Sequence, residues 1–124
     1  EKLYQIFTEA RNYLKENGFN IDSIMETLGD METFDEILND FISGSTEEKL
    51  ILYKNNMDMA NYAIVVHNLK GESSYLGMDK LTSMAEEHQM KSESNDINYI
   101  NENFDALIAE LRRVKSVSKI YLNI

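Results

Sequence analysis

Among the side chains of this 124-residue chain that can act as nucleophiles, His67 has the most telling neighbours. It lies in Ala60 to Gly77, ANYAIVVHNLKGESSYLG, a stretch with helical spacing. At about 100° per residue, Tyr62, Val65, Val66, Leu69 and Leu76 fall on the half of the helix opposite His67. That half is expected to face the core and to turn His67 outward. Ala60, Ala63, Gly71 and Ser74 lie within about 40° of the histidine, with Ile64 and Lys70 flanking at about 60°. Exposed helix surface is ordinarily long and charged, and a mid-helix glycine costs about 1 kcal/mol relative to alanine. Taken alone, His67 reads as one surface histidine among random neighbours. The small-residue face argues instead that something bulky approaches the ring. A neutral imidazole is a nucleophile at physiological pH, and Lys70, one turn on, can place an ammonium beside an anion carried by it.

The other candidates carry less. His88 shares a helical stripe with Leu81, Met84 and Ala85 and lacks a following Lys-Gly, so it is expected to be a buried structural histidine. The two histidines fall on different helices and different sorts of face, which argues against a shared metal site. Neither has a Glu three residues before it, as di-iron bundles require. No zinc-protease, phosphate-loop or dinucleotide glycine pattern occurs. Ser73 and Ser74 lack His-Asp partners for hydrolase chemistry.

The elements that position His67 follow from a 3.6-residue period running end to end. Leu3, Ile6, Phe7, Ala10, Tyr13 and Leu14 form one stripe, closed by Asn17-Gly18. Ile21 to Leu28 is a short segment ending at Gly29, and Phe34 to Ile42 a third helix halted by Gly44. Ser45 and Glu48 have capping-box spacing, and a single long helix is expected from there to about Leu76, with Gly77 closing it. Leu81 to His88 forms the next stripe, before a polar break at Lys91 to Asp96. Ile97, Ile100, Phe104, Leu107, Leu111, Val114 and Tyr121 mark the last helix. The reading is all-α: an antiparallel four-helix bundle from about Met31 onward, within residues 18–124, plus an N-terminal helical extension over 1–17.

Composition bounds the functions open to it. There is no proline, where average usage would give about six, consistent with long unbroken helices. The net charge of −10 speaks against nucleic acid, which needs clustered cations. Arg112, Arg113, Lys115 and Lys119 gather late, where a helix C-terminus favours cations, rather than as a membrane or nucleic-acid patch. The acidic run Asp30 to Asp40 reads as a solvated face, and the seven methionines as core filler. Absence of cysteine excludes disulfides, thiolate zinc sites and cysteine nucleophiles. With no membrane-length apolar run and no signal-peptide pattern, a cytoplasmic module without direct membrane contact is expected. A chain that opens on Glu1 rather than Met reads as a piece of a longer protein.

The run His67-Asn68-Leu69-Lys70-Gly71-Glu72-Ser73-Ser74-Tyr75-Leu76-Gly77 resembles the H-x-L-K-G-x-[SA]-x-x-[LI]-G signature of histidine-containing phosphotransfer (HPt) domains. The resemblance covers roughly Gly18 to Tyr121, with Phe34 to Phe41 similar to the helix leading into the histidine helix and Met78 to Gln89 to the next bundle helix. It implies a carrier in a multistep phosphorelay. His67 would take a phosphoryl group from an aspartyl phosphate on a response-regulator receiver domain and pass it to another. Lys70 would hold phosphoryl oxygens, and Gly71, Ser74 and Ala63 would keep the approach clear. Met57, Ala60 and Ile64 are expected to form an apolar docking strip. No cofactor is expected on this chain: Mg²⁺ would sit on the receiver, and the domain alone would be no enzyme. Glu72 departs from the pattern, standing where the family usually has a small residue. At about 140° from His67 it is expected to shape packing or partner preference.

Two other functions fit the same residues. One is a helical interaction module that binds receivers without phosphotransfer, favoured by Glu72. The other is the phosphoacceptor domain of a chemotaxis-type histidine kinase, phosphorylated by an ATP-binding domain of the same chain or part of a membrane-associated kinase.

Overall fold

The computed structural model describes residues 2–124. They form seven helices: α1 (Lys2–Glu16), α2 (Ile21–Leu28), α3 (Met31–Ser43), α4 (Thr46–Asn55), α5 (Met59–Tyr75), α6 (Asp79–Glu93) and α7 (Ile97–Leu122). Among the described residues there is no strand, only an isolated antiparallel bridge between Phe19 and Met78. No described helix is long and apolar enough to cross a membrane.

The long helix expected from Ser45 to Leu76 is two helices, so five helices rather than the expected four run from Met31 onward. At the break Met57 adopts a left-handed φ of 51°. Its N–H bonds the Lys54 carbonyl, and the Asp58 N–H reaches back to Tyr53 at 2.9 Å. These are the paired bonds of a Schellman stop. Asp58 then starts α5 by accepting a hydrogen bond from the Asn61 backbone N–H at 3.2 Å. Asn55-Asn56-Met57-Asp58 therefore ends one helix and begins another, and the helical count across it that placed Met57 beside Ala60 does not apply.

The same stop-and-start device recurs. Gly18, Gly77 and Asn95 have positive φ, and the residue after each bonds the carbonyl five positions back. Asn20, Asp30 and Asp96 cap the helices that follow. Ser45 does not cap α4 through its side chain, so the expected capping box is not formed. At Gly77 space is decisive as well as φ. A Cβ there would lie 2.8 Å from Ile24 Cγ1 and 2.9 Å from the Asn20 carbonyl, because the Asn20 N–H bonds the Gly77 carbonyl at 2.8 Å.

Around one core, α4 packs on α5, α5 on α6, α6 on α7 and α7 back on α4, with α3 and α1 also lying on α7. The core residues are those the periodicity marks: Phe34, Leu38, Leu50, Tyr62, Val66, Leu69, Leu81, Ile100, Leu107 and Leu111, all fully buried or nearly so. α1 contributes Leu14 to the same core, with Phe19 following, whereas Leu3, Tyr4 and Phe7 stand exposed. Residues 2–17 are thus half anchored in the core.

The late cations are tied into this packing. Arg112 donates two hydrogen bonds to Glu47 on α4, at 2.9 and 3.0 Å. Arg113 makes two with the buried Glu110, at 2.7 and 2.9 Å, and a third with the Asn17 carbonyl at 3.0 Å. Lys115 lies over the Phe41 ring. They pin α7 to α4, to the end of α1 and to α3, beyond any interaction with a helix dipole.

Candidate functional site: the outward face of α5 and its pairing with α6

α5 and α6 are joined by the tight turn at Gly77, and cross-contacts show that they run antiparallel. Ser73 Oγ lies 2.8 Å from Thr82 Oγ1, Lys70 Nζ 3.7 Å from Glu86, and Tyr62 Oη 2.9 Å from His88 Nδ1. Residue numbers rise along one helix as they fall along the other. The faces divide as the spacing requires: Tyr62, Val65, Val66 and Leu69 are buried, and His67 is exposed.

His67 is held by a residue that the sequence pattern does not reveal. Its Nδ1 lies 3.3 Å from Oε1 of Gln89 on α6. An amide oxygen accepts only, so in the tautomer that makes this bond Nδ1 carries the proton. The Nε2 lone pair is then free and directed away from Gln89, as a nucleophile requires. Nothing in the local motif indicates Gln89. The one signal is geometric: a hairpin turning at Gly77 sets positions 67 and 89 nearly symmetrically about it.

Beside the ring runs an open groove of about 630 Å³ between α5 and α6. Met59, Ala60, Ala63, Ile64 and His67 line it from α5, Gln89, Ser92 and Glu93 from α6, and Asn95 closes one end. Ala60, Ala63 and Ile64 are thus brought together with His67. Met57 is not: it sits exposed in the turn before α5, outside this lining. On the other side of His67, a Cβ at Gly71 would meet nothing within 4 Å, and Ser74 is exposed. Gly71 therefore serves no packing purpose within the fold, despite its cost to the helix.

Lys70 is partly exposed and reaches Glu86 at 3.7 Å, an ion pair too open to contribute much stability. Its ammonium can turn to another anion near His67 at little cost. Glu72 lies on the other flank of α5, in a cavity with Lys49, Phe41 and Leu76. Desolvation raises its pKa, and Lys115 and Lys49 pull it back. It does not line the histidine groove. Among the described residues, no group of three His, Asp or Glu side chains gathers to hold a metal ion.

His88 is buried, as its stripe predicts. Burial pulls its pKa down to about 4, against smaller opposing effects of Glu87 and the Asn103 backbone, so the ring is neutral. Its Nδ1 is taken by Tyr62, and Tyr99 packs edge-on against it at 5.4 Å between centroids.

No family model matches the chain, and neither does any curated protein or solved structure.

Proposed function

We propose that this chain is an HPt-type phosphorelay module, an antiparallel four-helix bundle of α4 to α7 that carries a phosphoryl group on His67. The observation that carries the reading is the state of the His67 ring. It is exposed, meets Gln89 through Nδ1, and is open at Nε2 beside a helix face kept small. In the step this allows, Nε2 attacks the phosphorus of a receiver's aspartyl phosphate in line. The N–P bond forms, the P–O bond to the aspartyl carbonyl breaks, and the carboxylate leaves. Lys70 exchanges Glu86 for a phosphoryl oxygen. The receiver supplies Mg²⁺, which neutralises charge on the transferring group. The second receiver takes the group by the reverse reaction. The groove beside Ala60 and Ile64 gives a receiver helix an apolar seat, and Gly71 and Ser74 admit the receiver's loops. Such a carrier works in the cytoplasm.

Glu72 lies away from this face and gives the binding-only reading no support at His67. The kinase-domain reading shares the same ring and differs in the donor.

The test is to incubate the protein with phosphorylated receiver domains encoded in its own genome and to follow label that is lost in acid and stable in base. Wild type is expected to take label and His67→Gln to take none. Equal labelling of both, or transfer from no receiver, would sink the proposal. Labelling by an ATP-binding kinase domain alone would assign the donor to the chemotaxis-type arrangement.

A further inference from the structure

His67 and Gln89 are both on the surface, and their bond at 3.3 Å has no packing of its own to hold it. What keeps Gln89 opposite His67 is the register of α6 against α5, which the turn at Gly77 sets at one end and which has still to be held ten residues from that turn. Apolar contacts between two helices define that register poorly, because side chains such as Val66, Leu69, Leu81 and Ala85 can interdigitate at neighbouring settings for similar burial. A directional bond between buried polar groups is different. A slip leaves both groups unpaired in the core.

One such bond joins α5 to α6, and a part-buried hydroxyl contact lies on the other side of His67. Tyr62 Oη, on a side chain with no exposure, meets Nδ1 of His88, which is 1% exposed, at 2.9 Å. Ser73 Oγ meets Thr82 Oγ1 at 2.8 Å, but Thr82 is only half-buried and each hydroxyl also has a carbonyl of its own helix, Lys70 at 3.2 Å and Met78 at 3.0 Å. The first lies five residues before His67 and the second six residues after it, about 7.5 and 9 Å along the helix. His88 is also the immediate neighbour of Gln89 in the chain. A slip of α6 by one helical turn would offer His67 either Ala85 or Glu93 in place of Gln89.

Resting on the reading of His67 as phosphoacceptor, we infer that Tyr62 and His88 are positioning residues for it. Their buried bond, at the end of the pair away from the Gly77 turn, fixes the α5–α6 register that holds Gln89 on Nδ1 and leaves Nε2 free. A histidine in a bundle core, where leucine would pack as well, has its reason in that register.

The test separates positioning from stability. In Tyr62→Phe/His88→Leu both members of the bond are gone together, so neither is left unpaired in the core and the fold is expected to keep its helical content. Long-range ¹H–¹⁵N spectra of the His67 ring report which nitrogen carries the proton. Wild type is expected to show the Nδ1-protonated form, and Gln89→Leu to lose that preference. The double variant is expected to shift towards the Gln89→Leu spectrum and to fall with it in transfer rate. Tyr62→Phe alone provides the same reading if the double variant does not fold, and His88→Gln, which keeps an acceptor for Tyr62, is expected to restore the wild-type spectrum. Wild-type ring shifts in a folded double variant, or in Tyr62→Phe, would overturn the inference. Altered ring shifts in a protein that takes phosphate from no receiver would uphold the register and remove only the phosphorelay reading.

Discussion

At the scale of the residue, the site is a single imidazole whose Nδ1 meets a neighbour and whose surroundings are kept bare. Gly71 makes the second point testable. Its missing Cβ touches nothing, so Gly71→Ala is expected to stabilise the helix by up to about 1 kcal/mol. It should slow transfer from a receiver all the same, because the added methyl faces the partner. A shifted urea midpoint together with a slower labelling rate would show this. His88 makes a separate prediction about pH. Its folded-state pKa is about 4, below the roughly 6.5 of an unfolded chain, so the unfolded state binds the proton first. Its contribution to stability is therefore complete above about pH 6.5 and is lost as pH falls towards 4, by about 3 kcal/mol. Urea unfolding at pH 7 and pH 5 should show the decline, and a variant with Tyr62→Phe and His88→Leu should lack that part of it.

At the scale of the element, the decisive feature is where helices stop. Four of the left-handed stops use Gly or Asn, which tolerate the conformation, and the fifth uses Met57 at φ 51°. A left-handed L-residue costs about 1–2 kcal/mol, and glycine gives back part of that through its freedom in the unfolded chain. Met57→Gly is thus expected to raise stability by up to about 1 kcal/mol, read as a higher urea midpoint. A loss of stability would mean that α4 and α5 are not separated in this way. The break has a functional consequence as well. It lets α5 begin at Asp58 on its own axis, so the face carrying Ala60, Ala63, Ile64 and His67 is set by packing against α6 rather than inherited from α4.

At the scale of the whole molecule, the seven helices share one core, and α1 is the element least committed to it. Leu14 is fully buried, whereas Leu3 and Phe7 are about 60% exposed. Leu14→Ala is expected to cost about 2–5 kcal/mol, and Leu3→Ala or Phe7→Ala to lie within about 0.5 kcal/mol of wild type. Thermal unfolding of the three variants would decide the matter. Equal effects would mean that α1 packs along its whole length. The net charge of −10 adds long-range repulsion towards an acidic partner, which salt screens. Short-range apolar contact in the groove is what remains to offset it.

Periodicity and end signals made most of the fold legible. The stripes of Phe34 to Phe41, of Leu81 to His88 and of Ile97 to Tyr121 are helices with the expected faces inward, because helical spacing alone decides which side chains can be buried together. The turn at Gly77 was legible for the same local reason. The outward face of α5 could be read from the small residues around His67. Two things required the folded chain. The stop at Met57 lacks a glycine, and its only local signals are Asn55, Asn56 and the capping Asp58, which fit a solvated helix face as well. The partnerships of His67 with Gln89, of Tyr62 with His88 and of Lys70 with Glu86 join residues 16 to 26 apart. The sequence by itself determined which imidazole faces outward and what surrounds it on its own helix, since both follow from spacing along one segment. Only the tertiary structure decided which of its nitrogens is free, because that depends on the residue a second helix brings opposite it.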